Sequence, residues 1–185
     1  MAMLKHTSDF QRKIIFIGGI HGVGKTTLCN SICSEFNIEH YSAGELISRF
    51  NKINFSKNKL VNNIKKNQDI LVASINKYLN TEKNYIIDGH FCLLDKNGNI
   101  INIPLSTYKE IDIIAIIVLF DNPANIYTRL ESRDETKYDI SFLSSFQKDE
   151  ISYSESVANY LNIPYLKANP FSDNEIILKF ITDIL

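Results

Sequence analysis

Short apolar runs alternate with helically periodic segments along this chain. Five apolar runs predict strands, over residues 13–18, 38–41, 84–88, 111–120 and 163–166. Segments in which apolar residues recur every three or four positions predict helices, over residues 26–36, 55–80, 140–161 and 174–185. Because strands and helices alternate, the pattern predicts an α/β fold of three layers, in which helices flank a central, mainly parallel five-stranded sheet.

Two local signals refine this outline. Ser42 can cap a helix that Glu45 supports from three residues later, so residues 43–80 are predicted to form a helical segment. Asn97-Gly98 lies between two apolar runs, which predicts a hairpin over residues 91–104, outside the main sheet. Both segments are predicted to border the ends of the strands, where α/β proteins bind ligands.

Residues 19–26 carry the spacing of a phosphate-binding P-loop, with glycine at 19 and then, after four residues, Gly24-Lys25-Thr26. Glycine has no Cβ, so the backbone can approach phosphate oxygens closely and turn its N–H groups towards them. The helix that follows adds the positive end of its dipole. The predicted nucleotide-binding residues are therefore Gly19, His21, Gly22, Val23, Gly24, Lys25, Thr26 and Thr27.

The polar side chains of this loop and one nearby acid have predicted roles. Lys25 is placed to reach the β- and γ-phosphates, Thr26 to ligate Mg²⁺, and Thr27 to contact the α-phosphate. Asp88 ends an apolar run that is predicted to lie next to the P-loop strand. A carboxylate there can hold Mg²⁺ or orient the attacking group. The alternative is an acid that merely ends a strand.

Two arginines follow the most apolar run. A helix predicted to start at Pro123 carries Arg129 and Arg133, which lie four residues apart and share a face. Guanidinium groups on one face suit the phosphates that pass between donor and acceptor, so both arginines are predicted catalytic residues. Glu131 and Asp134 support the alternative, a solvated helix with local ion pairs.

Composition excludes several classes of protein. The 185 residues are 44% hydrophobic and carry a net charge of −1, which suits one domain over residues 13–185 and gives no sign of a nucleic-acid or membrane surface. No apolar run approaches the roughly 18 residues of a membrane span. Residues 1–12 form a polar extension. Three cysteines, an odd number, indicate reduced thiols and a cytoplasmic location.

Four segments resemble the adenylate-kinase-like family of P-loop nucleoside and nucleotide kinases, which are AAA-type small ATP-binding proteins. They are Gly-Ile-His-Gly-Val-Gly-Lys-Thr-Thr (19–27), Tyr-Ser-Ala-Gly-Glu-Leu (41–46), Tyr-Ile-Ile-Asp-Gly (85–89) and Arg-Leu-Glu-Ser-Arg-Asp (129–134). The resemblance implies a P-loop NTPase fold that binds ATP and Mg²⁺, with a short lid over residues 133–140. It also implies that Arg129 touches ATP and that Asn169-Pro170 passes the adenine ring.

By the same resemblance, the segment after Tyr41 opens the acceptor site. Its predicted residues are Ser42, Gly44, Glu45, Arg49 and His90. The chain departs from the family pattern here, because the family arginine four residues after Gly44 is replaced by Ser48, with Arg49 one position later. The family also follows Asp-Gly with Phe-Pro-Arg, where this chain has His90-Phe91-Cys92. His90 is therefore either an acceptor contact or a structural histidine.

The leading functional hypothesis is a kinase that moves the γ-phosphoryl group of ATP to a small acceptor. A nucleoside monophosphate is the first candidate for this acceptor. Two alternatives remain open. One is a kinase of a hydroxyl group on a metabolite or a polynucleotide end, with Asp88 as general base. The other is a slow ATPase that acts as a nucleotide-switched binding module.

Overall fold

The structure is a computed structural model that describes residues 12–54, 64–133 and 138–185. Its strands are β1 Ile14–Gly18, β2 Glu39–Ser42, β3 Tyr85–Asp88, β4 Cys92–Leu94, β5 Ile100–Asn102, β6 Ile113–Leu119 and β7 Tyr165–Ala168. Its helices are α1 Lys25–Phe36, α2 Ala43–Asn54, α3 Ile64–Tyr78, α4 Leu105–Ile111, α5 Pro123–Arg133, α6 Ile140–Leu161 and α7 Asn174–Ile184.

Parts of three predicted segments lie outside the described residues. They are the N-terminal extension up to residue 11, residues 55–63 of the predicted helix over 55–80, and residues 134–137 of the predicted lid. The short lid therefore stays a prediction.

Five strands form one parallel sheet in the order β2-β3-β1-β6-β7. The central strand, β1, is buried along its whole length and pairs with β3 and β6. The predicted α/β fold with a parallel five-stranded sheet flanked by helices is confirmed. Among the described helices, none is long and apolar enough to cross a membrane.

Alternating side chains of β1 build the two cores that separate the three layers. Ile15 and Ile17 pack in a cluster with α1, α5 and α7, whereas Ile14 and Phe16 pack in a cluster with α2, α3 and α4. Helix α6 contributes to both clusters, with Phe146 in the first and Val157 in the second. Because successive strand residues point to opposite faces, one apolar run fills both cores.

The hairpin predicted around Asn97-Gly98 is present, since β4 and β5 pair antiparallel. The segment after it differs from the prediction, because α4 precedes β6 and the strand begins at Ile113 rather than at residue 111. Asp112 ends α4 in the left-handed conformation, with φ 62°, and separates helix from strand. The apolar run continues across this boundary, because Ile111 packs in the core from the end of the helix. The run alone therefore did not show where the helix ends and the strand begins.

Candidate active site

The segments after four parallel strands form the candidate site at one edge of the sheet. The P-loop follows β1, and Asp88 at the end of β3 pairs with Ile17 of β1. Asp121 follows β6 and Asn169 follows β7. The predicted phosphate loop and the predicted acid are therefore neighbours at the carboxyl edge of the sheet.

The P-loop conformation depends on glycine at three positions with positive φ, Gly19 at 144°, Gly22 at 77° and Gly24 at 113°. A Cβ on Gly22 would lie 2.8 Å from Leu130 Cγ, and one on Gly24 would lie 3.0 Å from Phe171 Cζ. Helix α1 begins directly after the loop, at Lys25, and carries no acidic residue in its first turn. The N–H groups and the dipole at this end of the helix therefore suit a polyphosphate.

Lys25 is folded back on its own loop. Its Nζ donates to the carbonyl oxygens of Gly19, at 2.5 Å, and Ile20, at 3.2 Å. Burial lowers the pKa of Lys25, while the nearby carboxylates of Glu150 and Asp88 oppose that shift. Charged phosphate oxygens are stronger acceptors than carbonyl oxygens, so Lys25 is placed to exchange these internal bonds for bonds to a nucleotide.

A cavity of about 580 Å³ opens in front of the P-loop and extends to α2, α3, the β4–β5 hairpin and α4. The predicted site residues that line it are His21, Gly22, Gly24, Lys25, Thr26, Thr27, Ser42, Gly44, Asp88, His90, Arg129 and Arg133. The structure thus brings the predicted nucleotide residues and part of the predicted acceptor residues to one space.

The predicted site residues that do not line the cavity are Gly19, Val23, Glu45, Arg49, Asn169 and Pro170. Val23 is fully buried. Glu45 accepts the backbone N–H of Ser42 at 3.4 Å, and so helps to cap α2. The guanidinium carbon of Arg49 lies 4.4 Å from the Tyr78 ring centroid, outside the cavity. Residues 45 and 49 share a helix face, and the structure does not bring that face to the acceptor side.

Asp88 has a partner that sequence reasoning missed. Its Oδ1 lies 2.7 Å from Nε2 of His40 on β2, and its side chain is 9% exposed and lines the cavity. The two residues are 48 positions apart, and only the pairing of β2 with β3 brings them together. The His40 contact holds the Asp88 carboxylate in one orientation.

The site suits a magnesium ion that arrives with a nucleotide. Within the described residues, no cluster of three or more His, Cys, Asp and Glu side chains could hold a metal by itself. Magnesium usually keeps several waters and phosphate oxygens and takes only one or two protein ligands. The Thr26 hydroxyl and the Asp88 carboxylate both line the cavity, and they supply oxygen ligands of the kind that this ion prefers.

Arg129 is fixed by two contacts. Its Nε donates to the Gly22 carbonyl at 2.7 Å, and its Nη2 donates to Oδ2 of Asp121 at 2.5 Å. Burial opposes ionisation of Asp121, but hydrogen bonds from Arg129 and from neighbouring amide groups outweigh it and lower the pKa of this carboxyl. Asn169 is one of these donors, with Nδ2 at 3.1 Å from Asp121 Oδ1. Asp121, which was not among the predicted site residues, therefore links Arg129 to the loop after β7.

The loop after β7 lies over the start of α1. Pro170 Cγ would be 3.1 Å from a Cβ on Gly24, and the exposed Phe171 ring lies under the Arg129 guanidinium, 4.8 Å from centroid to carbon. Arg133, one turn further along α5, is exposed and lines the cavity. These flat groups beside the P-loop offer surfaces on which a nucleobase can stack.

Sequence reasoning also missed a fully buried acid beneath the P-loop, Glu150 on α6. It accepts hydrogen bonds from the backbone N–H groups of Gly19, Phe91 and Cys92. Burial raises the pKa of Glu150, whereas these three donors favour its ionised form. A signal was present, since Gln147, Glu150 and Ser154 place three polar residues on the buried face of an otherwise amphipathic helix.

His90 lies between the P-loop and Glu150. Its ring contacts that of His21, with centroids 4.4 Å apart and planes tilted by 49°. Its Nδ1 lies 3.9 Å from Glu150 Oε1, beyond hydrogen-bond distance. Burial, with smaller contributions from Lys25 and His21, lowers the pKa of His90 to about 2. The imidazole is therefore neutral near pH 7 and can exchange hydrogen bonds with a ligand without carrying charge.

Together, the parallel sheet, the glycine loop and the cavity define a P-loop nucleotide-binding protein. Residues 18–146, well over half of the chain, match the family described as the AAA domain, and the protein belongs to that family. No curated protein matches the chain in sequence. Among solved structures, a gluconokinase from Sinorhizobium meliloti 1021 shares the fold with a TM-score of 0.52 and 12% identity, covering 92% of this chain and 89% of that chain.

Proposed function

We propose that this protein transfers the γ-phosphoryl group of ATP to a hydroxyl group of a small, uncharged acceptor. The observation that carries the proposal is the continuity of one cavity, from the P-loop and α5 to a second wall formed by α2, α3, the hairpin and α4. Donor and acceptor can meet within such a space while the walls limit access of water. The likeness in fold to a gluconokinase supports a hydroxyl acceptor, and the second wall of the cavity supports its neutral character.

The chemistry of the second wall favours a hydroxyl acceptor over a nucleoside monophosphate. In the described part of the cavity lining, the only lysine and arginine side chains are Lys25, Arg129 and Arg133, all on the nucleotide side. The opposite wall carries apolar side chains together with the buried amide of Gln68 and the buried hydroxyl of Thr107. An acceptor phosphate would need a cation there, whereas amide and hydroxyl groups suit a neutral molecule.

The roles of the site residues follow from their positions around the cavity. Lys25 and the α5 arginines Arg129 and Arg133 supply positive charge where negative charge develops on the transferred group. The acceptor oxygen forms a bond to the γ-phosphorus, the bond from that phosphorus to ADP breaks, and Asp88 can take the hydroxyl proton. Thr26 would hold magnesium directly and Asp88 would hold it through water, which leaves the Asp88 carboxylate able to take the proton. The ion would neutralise phosphate charge when bound.

Transfer of radiolabel from γ-labelled ATP tests this function. The panel should contain neutral polyols, sugars and nucleosides, and separately nucleoside monophosphates. We expect label on an alcohol, and a loss of several orders of magnitude in a folded Lys25→Ala variant. Label on a nucleoside monophosphate would refute the hydroxyl acceptor and support a kinase of nucleoside monophosphates. Release of free phosphate alone would favour a nucleotide-switched ATPase.

We also propose that the protein works in a reducing compartment, the cytoplasm. Its three cysteines, Cys29, Cys33 and Cys92, are all free, and two of them are buried. Unpaired buried thiols are usual where the environment keeps cysteine reduced. Localisation of the tagged full chain would test this placement.

A further inference from the structure

The Glu150 side chain joins two parts of the site that are far apart in sequence. Its Oε1 accepts the N–H of Gly19 at the start of the P-loop, at 3.0 Å, and the N–H of Phe91 just before the hairpin, at 2.9 Å. Its Oε2 accepts the N–H of Cys92 at 2.6 Å. Glu150 is fully buried, so water does not compete for these hydrogen bonds. The positions of the three N–H groups therefore depend on one another through the Glu150 carboxylate.

The hairpin side of this link belongs to the second wall of the cavity, which is formed by α2, α3, the hairpin and α4. We call this surface the acceptor wall. The Phe91 carbonyl accepts the N–H of Ile103 at 2.9 Å, and the Ile103 carbonyl accepts the hydroxyl of Tyr153 on α6 at 2.5 Å. Leu93 and Ile103 both line the cavity. A displacement of the backbone at Phe91 therefore reaches side chains that face the acceptor.

The P-loop side of the link is held by bonds that a nucleotide would replace. Lys25 Nζ donates to the carbonyl oxygens of Gly19 and Ile20. Phosphate oxygens compete for the same Nζ through charge-assisted hydrogen bonds. A nucleotide therefore favours an arrangement in which the Gly19 carbonyl is released from Lys25. Such differential affinity is the condition for a ligand to shift a conformational equilibrium.

We propose that Glu150 is a positioning residue that couples nucleotide binding at the P-loop to the arrangement of the β4–β5 hairpin at the acceptor wall. Release of the Gly19 carbonyl allows the backbone torsions at Gly19 to change. The Gly19 N–H, on the other side of the same Cα, donates to Glu150, and Glu150 carries the change to Phe91 and Cys92. ATP binding thereby prepares the acceptor side before the acceptor enters. The inference rests on the proposed nucleotide site, and it does not depend on which acceptor is used.

Hydrogen–deuterium exchange of the full chain, with and without Mg²⁺-ADP, tests the coupling. In the wild type, peptides over residues 19–27 and 91–104 should both exchange differently when ADP is bound, with a change of about fivefold or more in the hairpin. Glu150→Gln keeps the size of the side chain, but its NH₂ group must face at least one backbone donor. Its oxygen can still accept from two of the three donors, so at saturating ADP this variant should keep the P-loop response and show a weaker hairpin response.

Ser154→Ala is the matched control. Ser154 is also fully buried on α6, and among the described residues its hydroxyl forms hydrogen bonds only with the Ile151 carbonyl and the Tyr165 hydroxyl. This variant should keep both exchange responses. If Glu150→Gln does not fold, Glu150→Asp provides the same comparison, because it keeps the charge and shortens the reach by one methylene.

Two results would overturn the coupling: a hairpin response that is unchanged in Glu150→Gln, or a wild-type hairpin that does not respond while the P-loop is protected. A lower melting temperature with both responses intact would also overturn it and leave Glu150 a purely structural residue. Absence of P-loop protection in the wild type would instead refute the nucleotide site itself. The two failures are therefore distinguishable.

Discussion

Replacing Gly22 with alanine tests whether the P-loop and α5 fit together as the structure shows. Gly22 has φ 77°, a conformation that costs a residue with a Cβ about 1–2 kcal/mol. The new Cβ would lie 2.8 Å from Cγ and 2.9 Å from Cδ2 of Leu130, which is fully buried on α5. Leu130 cannot turn into solvent, so relieving this contact should cost about 1–3 kcal/mol more, as in other overpacked cores.

Gly98 at the hairpin turn offers a control for the backbone conformation alone. Its φ is 82°, and a Cβ there would meet nothing within 4 Å. Gly98→Ala should therefore cost about 1–2 kcal/mol, against about 2–5 kcal/mol for Gly22→Ala. For a chain of this size, each kcal/mol lowers the melting temperature by about 2–4 °C. The expected losses are about 2–8 °C and about 4–20 °C, respectively.

Thermal unfolding and calorimetric titration with Mg²⁺-ADP measure both consequences. A shift of α5 also moves Arg129, whose Nε donates to the Gly22 carbonyl, so ADP affinity should fall at least about tenfold in Gly22→Ala, equivalent to about 1.4 kcal/mol. Gly98→Ala should bind ADP like the wild type. Equal melting temperatures and equal affinities for the two variants would refute the packing of the P-loop against α5.

Three further predictions concern single side chains. Asp88→Asn keeps the shape of the side chain and removes its charge, so transfer should slow and the required Mg²⁺ concentration should rise; an unchanged rate and Mg²⁺ dependence would leave Asp88 as a strand-end acid. His90, whose pKa is lowered to about 2, stays neutral in the folded chain while the unfolded chain gains a proton below pH 6.5. The free energy of unfolding should therefore fall below that pH by up to about 1.4 kcal/mol per pH unit. Denaturant unfolding between about pH 4 and 6 should show a shallower fall for His90→Asn than for the wild type. An identical fall in both proteins would contradict the lowered pKa of His90. Arg133→Ala should lower kcat more than it raises KM for ATP, with partial rescue in Arg133→Lys; wild-type kinetics in both variants would make Arg133 a solvated surface residue.

Features that depend on residues close together in the chain were predictable. The spacing of Gly19, Gly24 and Lys25 identified the P-loop, because a phosphate loop is built from consecutive backbone groups. The Asn97-Gly98 pair located the hairpin for the same local reason. Asp88 could be placed beside the P-loop because it ends an apolar run and parallel strands end at one edge of a sheet.

Features that depend on which elements meet were not predictable from these patterns. Helix α4 was hidden because its apolar residues continue into the run that forms β6. Arg49 was expected at the acceptor site although it stands one position after the family arginine, and it lies instead over the Tyr78 ring of α3, outside the cavity. The angle at which a helix packs is set by its partners, which a motif does not specify.

The amino-acid sequence by itself determined the phosphate loop, the order of the five sheet strands along the chain and the class of fold, because each follows from local spacing and hydrophobic periodicity. Only the tertiary structure decided that His40 supports Asp88 and that Glu150 joins Gly19 to Phe91, across separations of 48, 131 and 59 residues. Such contacts arise when the cores on the two faces of the sheet close. Burial then makes a polar group depend on whichever donor or acceptor the fold brings within reach.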